Sequence, residues 1–220
     1  MAGVLIALEG ADGAGCTEQA RRLRDALVAS GHRVVSCRLK GSDLMRRPLQ
    51  TLQQRADVSD RALFLLYAAD LADLLRSQIA PALELGHVVL CDRYLLTPLM
   101  RAKMRGIDGD WAEQALSFLP APTLTVLLCA PATQRLARLL GHRRFLQPRE
   151  TGWPTTPGSP ILSQALRYQR RLARQYLAHT DPGQVPRVST GHRPERAQTV
   201  LRQLVSTVLP AMGEQSGSLL

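Results

Sequence analysis

Apolar residues recur along the chain with two different spacings, one typical of buried β-strands and the other typical of amphipathic helices. Short, nearly continuous apolar runs predict strands at residues 4–8, 33–39, 88–91, 123–129 and 185–188. Apolar residues at every third or fourth position predict helices at residues 16–30, 60–85, 98–104, 111–118, 131–140, 160–179 and 193–209. Because strands and helices alternate, the pattern predicts an α/β fold with a mainly parallel sheet.

The sequence shows no internal repeat and no interdomain linker, so we predict one domain over residues 1–210. Residues 141–159 are rich in proline, glycine and arginine, and they interrupt the helical pattern. We interpret this segment as a candidate lid. Residues 213–218 consist of Gly, Ser, Glu and Gln, which predicts a flexible C-terminal tail over residues 211–220.

The composition is that of a globular protein, with 45% hydrophobic residues. No apolar run approaches the ~20 residues that a membrane-spanning helix requires. The N-terminus lacks the basic segment of a signal peptide. The four cysteines are scattered and lack the paired spacing of metal ligands. We therefore expect a cytoplasmic protein with reduced cysteines and no membrane association.

The formal net charge of +10 points towards anionic partners. Almost all of the 28 basic residues are arginines, since Lys40 and Lys103 are the only lysines. Aromatic residues make up only 4% of the chain, so stacking platforms for single-stranded nucleic acid are scarce. A nucleic-acid partner is thus a weaker hypothesis than a small phosphorylated ligand.

The first predicted strand leads directly into a glycine-rich loop, which in turn opens the first predicted helix. The loop consists of Gly10, Ala11, Asp12, Gly13, Ala14, Gly15, Cys16 and Thr17. This strand–loop–helix context is the one required by the phosphate-binding pattern G-x-x-x-x-G-K-[ST]. In such loops, backbone N–H groups and the helix N-terminus converge on a phosphate.

Two positions of this loop carry particular chemistry. Thr17 stands where a hydroxyl joins the magnesium shell, whereas Cys16 stands where a lysine normally reaches the β- and γ-phosphates. The motif therefore predicts a nucleotide site that lacks one cation. Two alternatives are a glycine-rich turn without a ligand and a loop that now binds phosphate weakly.

Several further segments, in the same order along the chain, resemble the thymidylate kinase family of nucleoside monophosphate kinases. They are residues 8–15, 66–70, 81–83, 92–97 and 168–172. The resemblance extends from Val4 to about Leu209. It implies a P-loop, three-layer α/β/α fold with a five-stranded parallel sheet and a mobile lid. It also implies transfer of the γ-phosphate of ATP to dTMP with Mg²⁺, and a homodimer.

The resemblance also implies roles for individual residues. Asp12 is similar to an acidic residue near the acceptor sugar, and Tyr67 to an aromatic residue that stacks on the acceptor base. Asp92 resembles a carboxylate that holds magnesium or positions the acceptor, and Arg93 an arginine on the acceptor phosphate. Arg38 and Thr97 belong to the motifs on the acceptor side. Alternatively, Tyr67 is a core residue, and Asp92 and Arg93 form a structural ion pair.

The chain departs from the family pattern at three places besides the loop lysine. Leu71 stands where the family often has a second acceptor-phosphate arginine. After Thr97 the expected Tyr-Gln pair is absent, and residues 100–102 occupy this region. The Tyr-Gln positions help the family to recognise the base. The turn after the second strand keeps Arg38 and Gly41 but lacks the family's acidic residue.

Phosphoryl transfer requires the missing positive charge to come from elsewhere. We expect it first from Arg143, Arg144 and Arg149 in the candidate lid, and second from Lys40 at the end of the second strand. Alternatively, the lid arginines are a solvated basic loop. The leading hypothesis is a compensated kinase. The alternative is a catalytically impaired nucleotide-binding protein that acts as a sensor or partner subunit.

Cys16 also suggests a redox hypothesis. A thiol at a helix N-terminus is expected to have a depressed pKa and to be easily oxidised. Oxidation would then regulate nucleotide binding. The alternative is that cysteine is merely a small residue tolerated where lysine was lost.

Overall fold

The structure is a computed structural model that describes residues 3–53, 59–142, 146, 151, 160–191 and 193–209. Its strands are β1 (Val4–Glu9), β2 (Val34–Arg38), β3 (Val88–Asp92), β4 (Leu124–Cys129) and β5 (Arg187–Ser189). They form one sheet in the order β2-β3-β1-β4-β5, and all four neighbouring pairs are parallel. The predicted α/β fold with a parallel sheet is confirmed.

The helices lie on both faces of this sheet. They are α1 (Cys16–Ala29), α2 (Arg46–Gln53), α3 (Asp60–Leu74), α4 (Ala80–Glu84), α5 (Leu96–Met104), α6 (Gly109–Ala115), α7 (Ala132–His142), α8 (Ile161–His179) and α9 (Pro194–Ser206). The sequence analysis missed α2, which is short and largely polar. It also ended α7 too early, since the helix continues through Gly141 to His142.

The single helix predicted over residues 60–85 is interrupted by a local change of hydrogen bonding. A π-helical stretch, Leu75–Ile79, joins α3 to α4. It lies just before Pro81, which has no N–H group for the helical ladder. Ser59 caps the start of α3, where its side chain accepts a hydrogen bond from the Ala62 N–H at 3.2 Å.

Residues of β1 alternate between two apolar layers, as the period of two along a strand requires. Leu5 and Ala7 belong to a core formed with α3, α5 and α6, whereas Ile6 and Leu8 belong to a core formed with α1 and α9. All residues of β1 and β3 are buried. Burial on both faces explains why these strands are continuous apolar runs in the sequence.

The strand order brings the ends of β1 and β3 together. Leu8 is the register partner of Asp92, and Asp92 is also the partner of Arg38 on β2. The glycine-rich loop follows β1, so it begins beside the residues that follow β3. In open parallel sheets, ligands bind beyond the carboxyl ends of the strands. The fold therefore directs attention to this edge.

A buried arginine connects the glycine-rich loop to two helices. Arg135 on α7 is 1% exposed. Its guanidinium donates to the Asp12 carbonyl at 3.3 Å, to the Ala130 carbonyl at 3.1 Å, and to the side chain and carbonyl of Gln169 at 2.6 and 2.8 Å. These bonds hold the loop, α7 and α8 in one arrangement, and they satisfy the buried cation.

We expect Arg135→Met to destabilise the protein, because the buried oxygens that Arg135 satisfies would lose their donor. The expected loss of unfolding free energy is about 3 kcal/mol, which corresponds to a fall in Tm of about 10 °C. Thermal unfolding monitored by circular dichroism measures this. The control is Arg171→Met at an exposed position of α8, which should change stability by less than about 0.5 kcal/mol. Equal effects of the two substitutions would contradict the structural role of Arg135.

Candidate active site

The glycine-rich loop presents an uncapped helix N-terminus. Gly15 is the N-cap of α1, with φ of 93° in the left-handed region, and it supplies no side-chain cap. The first N–H groups of α1 therefore have no capping oxygen, which leaves them available to an anion. Gly13 also has a positive φ of 77°, and a Cβ there would lie 2.5 Å from the Arg135 carbonyl oxygen. Only glycine fits these two positions.

Thr17 and Asp92 form the junction between the loop and the end of β3. The Thr17 hydroxyl donates to Asp92 Oδ2 at 2.7 Å. The other oxygen, Asp92 Oδ1, is buried and has no hydrogen-bond partner among the described residues. Arg38 is largely exposed and lies near, with Nε 3.7 Å from Asp92 Oδ2. The structure thus brings together Thr17 and Asp92, the two predicted magnesium ligands, and places Arg38 near them.

The orphaned oxygen of Asp92 allows a test of the magnesium prediction. Mg²⁺ prefers hard oxygen ligands, and it keeps several waters while one or two protein oxygens and the substrate phosphates complete its shell. A carboxylate oxygen without a hydrogen-bond donor, beside a threonine hydroxyl, fits this requirement. In the part of the chain that the structure describes, no cluster of three or more His, Cys, Asp or Glu side chains could hold a metal.

Glu9 organises the turn that follows β3. Its carboxylate is completely buried and accepts hydrogen bonds from the N–H groups of Tyr94, Leu96 and Thr97 at 2.8, 2.9 and 3.3 Å. The Thr97 hydroxyl also donates to Glu9 at 2.6 Å. Burial raises the pKa of Glu9, although these hydrogen bonds and the charge of Arg93 act in the opposite direction. The sequence analysis did not identify this role of Glu9.

Arg93 lies within this turn in a left-handed conformation, with φ of 70°. Such a conformation is strained for an arginine and persists only when surrounding contacts impose it. Its N–H donates to the Leu8 carbonyl at 3.0 Å. Its Nη1 donates to the Gly10 carbonyl at 2.7 Å and to the Thr97 hydroxyl at 3.2 Å. These hydrogen bonds therefore hold Arg93 in contact with Gly10, the first residue of the glycine-rich loop.

Thr97 is buried, and three groups surround its hydroxyl. It donates to Glu9, and it lies 2.9 Å from the Tyr176 hydroxyl of α8 as well as within reach of Arg93. Its predicted contact with substrate therefore stays a prediction. In this conformation Thr97 positions Glu9 and Arg93.

Asp12 pairs with an arginine that the sequence analysis did not select. Arg101 Nη2 lies 2.7 and 2.9 Å from the two carboxylate oxygens of Asp12. Arg93 Nη2 is farther from the same carboxylate, at 3.4 Å. The side chains of Asp12 and Arg101 are only 11% and 10% exposed, so this is a buried ion pair. Arg101 lies in the segment where the family pattern has Tyr-Gln.

Tyr67 lines a small cavity between α3 and α5. The cavity has a volume of about 10 Å³, and its walls include Phe64, Tyr67, Arg101 and Arg105. That is roughly the volume needed for one water molecule. Arg105 also forms an ion pair with Asp60, which joins the same two helices. Tyr67 is 3% exposed, so its predicted contact with a base requires the cavity to widen.

Among the residues that the structure describes, four arginines contact the glycine-rich loop, and we call them the loop arginines. Arg93, Arg135 and Arg138 donate to the carbonyls of Gly10, Asp12 and Gly13, and Arg101 binds the Asp12 carboxylate. All four lie outside the glycine-rich motif, and the sequence analysis selected only Arg93 as a site residue. A signal was available in α7, where Arg135 and Arg138 are three residues apart and so lie on one helix face.

The predicted sources of a compensating charge are only partly visible. Arg143, Arg144 and Arg149 lie outside the described residues, as does most of the candidate lid, so their role stays a prediction. Lys40 follows β2, and its backbone N–H donates to Asp70 at 2.5 Å. Burial raises the pKa of Asp70, and the hydrogen bonds from Lys40 and Ser42 and the charge of Lys40 partly offset that effect. Asp70 thus organises the turn that carries Lys40.

The prediction of a reactive thiol at Cys16 is wrong. Cys16 is buried, at 3% exposure. Burial raises its pKa to about 12, because the thiolate is poorly solvated and Asp92, Glu9 and Asp12 are near, although the charge of Arg93 acts in the opposite direction. Burial therefore has the largest effect on the pKa of this thiol, and the pKa rises although the thiol lies at a helix N-terminus. The structure instead favours the alternative to the redox hypothesis, in which Cys16 is a small, neutral residue at the lysine position.

Comparisons with known proteins agree with this geometry. A sequence model of the family described as thymidylate kinase matches residues 8–151. The chain belongs to the thymidylate kinase family. It is 34% identical to a thymidylate kinase of Gluconobacter oxydans, over 96% of this chain and 98% of the relative. It is 30% identical to a probable thymidylate kinase 2 of Saccharolobus solfataricus, over 80% and 82%, and 37% identical to a probable thymidylate kinase of Pyrococcus horikoshii, over 63% and 71%.

Membership of the thymidylate kinase family makes the chain a nucleoside monophosphate kinase. Arg101 connects the two parts of the site, because it binds Asp12 of the loop and also lines the cavity around Tyr67. No helix among the described residues combines the length and apolar character that crossing a bilayer demands.

We expect the Cys16 thiol to react slowly in the folded protein. With a pKa of about 12 instead of 9.0, the thiolate fraction at pH 8 falls by about 10³-fold. Iodoacetamide labelling followed by peptide mass spectrometry measures the rate for Cys16 in the folded and urea-unfolded protein. The half-buried Cys129 is the internal control, and ATP affinity should not change after peroxide treatment. Rapid labelling of Cys16 in the folded state would contradict its burial.

The raised pKa of Glu9 predicts a pH dependence of stability. The folded state holds this proton more tightly than the unfolded state, so the contribution of Glu9 to stability is greatest below pH 4.5 and is lost as the pH rises through the folded pKa. Urea unfolding from pH 4 to 8 should show wild type losing stability relative to Glu9→Gln as the pH rises. Glu18→Gln is the control with the opposite sign, because hydrogen bonds from Arg21 and Arg22 lower the pKa of Glu18. A gain in the stability of wild type relative to Glu9→Gln as the pH rises would refute the assignment.

Proposed function

We propose that the protein transfers the γ-phosphate of ATP to dTMP. The observation that carries the proposal is the junction of the uncapped α1 N-terminus with Thr17 and the orphaned oxygen of Asp92. Membership of the thymidylate kinase family and the names of its relatives support dTMP as the acceptor. The cytoplasmic location and the homodimer remain predictions from the sequence.

On the donor side, the loop binds the phosphates of ATP. The N–H groups at the start of α1 are aimed at the loop, and the partial positive charge of the helix N-terminus favours an anion there. The hydrogen bonds of the loop arginines to loop carbonyls hold the loop in this shape before ATP arrives. Such preorganisation reduces the reorganisation needed in the transition state.

Mg²⁺ fits beside Asp92 Oδ1 and the Thr17 hydroxyl. When bound, it would neutralise charge on the phosphate oxygens of ATP. The two residues are held by their mutual hydrogen bond, and Asp92 is fixed at the end of a buried strand. Their part is to orient the oxygens that the ion and the phosphates share.

On the acceptor side, Arg93 and Tyr67 hold the monophosphate. An oxygen of the acceptor phosphate attacks the γ-phosphorus in line, and the bond from that phosphorus to the bridging oxygen of ADP breaks. Arginine suits this position, because its fork matches phosphate oxygens and keeps its charge. Arg38 is exposed near Asp92 and supplies a second cation on this edge. The candidate lid would exclude water from the transfer.

The decisive experiment measures ADP formation from Mg-ATP with a panel of nucleoside monophosphates. We expect turnover with dTMP above the ATPase background, since the required groups are assembled. Control reactions omit the acceptor or replace Mg²⁺ with EDTA. Absence of turnover with every monophosphate, while ATP still raises the Tm, would refute the proposal and favour a nucleotide-binding protein without catalysis.

Tyr67→Leu tests the acceptor side specifically. Leucine keeps an apolar side chain in the cavity but removes ring stacking on the base, which contributes about 1 kcal/mol. We expect the KM for dTMP to rise about fivefold, while the KM for ATP stays unchanged because the loop is untouched. Steady-state kinetics with each substrate varied in turn measure both values. If both KM values rise together, Tyr67 acts through the fold and not through the base.

A further inference from the structure

The loop has lost the charge of its lysine, and the side chain that replaces it stays uncharged. Cys16 Sγ lies against Gly10, 3.5 Å from the point where a Cβ on Gly10 would be. Its thiol is buried and neutral at physiological pH. The donor phosphates therefore need a cation that reaches the loop from another element.

Arg93 also contacts Gly10. Its Nη1 donates to the Gly10 carbonyl at 2.7 Å, so Gly10 has the thiol of Cys16 on one side and a guanidinium on the other. The neighbours of Cys16 and Arg93 in the chain are also in contact. Thr17, which follows Cys16, donates a hydrogen bond to Asp92, which precedes Arg93. Of the described groups that most influence the thiol, Arg93 is the one cation, and the others are carboxylates.

Among the described residues, the one ion pair of Arg93 is with Asp12, and it is longer than the 2.7–2.9 Å of the Arg101 pair with the same carboxylate. The near partners of Arg93, the Gly10 carbonyl and the Thr97 hydroxyl, are both neutral. Asp12 is the carboxylate nearest to Arg93, at 3.4 Å, and Arg101 already binds both of its oxygens at 2.7 and 2.9 Å. A phosphate can therefore recruit Arg93 without breaking a tight ion pair, which in a buried site would be costly.

We propose that Arg93 replaces the missing loop lysine on the donor phosphates and that Arg101, by neutralising Asp12, releases Arg93 for this role. The inference rests on the proposed function and adds a donor-side role to the acceptor-side role of Arg93. Two departures from the family pattern then belong together. One positive charge is lost at Cys16, and one is gained at Arg101.

Arg135 and Arg138 are less suited to this role. Arg135 is fully buried, and its guanidinium is already occupied by four oxygens. Arg138 Nη1 donates to the Gly13 carbonyl at 3.2 Å, while Nη2 donates to the Thr190 carbonyl at 2.5 Å, and both bonds hold it against the outer turn of the loop. Neither has a contact with Gly10 among the described residues.

A double-mutant cycle in donor binding tests the proposal. The cycle combines Arg93→Met with Cys16→Lys, and calorimetry measures the affinity for Mg²⁺ with a non-hydrolysable ATP analogue in the absence of any acceptor. We expect Arg93→Met to weaken this affinity about 30-fold, as loss of a charge-assisted contact to phosphate implies. Adding Cys16→Lys to Arg93→Met should restore most of the lost affinity. The gain in affinity from Cys16→Lys should be at least about tenfold larger in the Arg93→Met background than in the wild-type protein.

The matched control is Arg138→Met, which removes another loop arginine. Lysine at position 16 should not rescue this variant, because Arg138 does not contact Gly10. Arg93→Lys, which keeps the charge, guards against a folding defect in Arg93→Met, and it should retain more affinity than Arg93→Met. Circular dichroism and Tm establish that each variant is folded.

The outcomes separate the inference from the proposed function. Affinity for the analogue that is unchanged in both Arg93 variants, or an equal gain from Cys16→Lys in every background, overturns the inference while leaving kinase activity standing. Rescue of Arg93→Met in the binding cycle, together with no turnover of any monophosphate by the parent protein, supports the inference and refutes the proposed function.

Discussion

The buried carboxylate of Glu9 holds the two halves of the site in their relative positions. It accepts hydrogen bonds from three consecutive or near-consecutive N–H groups of the turn after β3, and from the hydroxyl of Thr97. These bonds fix the turn that forces Arg93 into a left-handed conformation, and they also fix the start of α5. From that start, α5 carries Arg101 to Asp12. One carboxylate at the end of β1 therefore sets the positions of the cations on both sides of the loop.

The positive charge around this phosphate-binding loop comes from other segments and not from a basic residue of the loop itself. The loop itself contains no basic residue, yet in the described part of the chain four arginines from three other segments bind its backbone or its one carboxylate. Burial of the charged groups is tolerated because each guanidinium has oxygen partners. Local sequence alone does not determine this arrangement, since it depends on tertiary contacts between residues that are far apart in the chain.

The sequence predicted what local patterns determine. The strand–loop–helix unit, the parallel sheet, and the proximity of Thr17 to Asp92 all follow from apolar periods and from strand ends meeting at one edge. The sequence did not predict α2, a short and largely polar helix, or the Arg101 pair with Asp12, whose partners are 89 residues apart. The pKa of Cys16 was predicted with the wrong sign, because burial is a tertiary property that the helix N-terminus does not reveal.

The small cavity between α3 and α5 has a consequence for how an acceptor binds. A space of about 10 Å³ holds no base, so a base can stack on Tyr67 only where the two helices have moved apart. The measured affinity would then be the intrinsic affinity multiplied by the fraction of molecules in that arrangement. A substitution that weakens the ion pair of Arg105 with Asp60 would enlarge this fraction. It would tighten acceptor binding without adding a single contact to the acceptor.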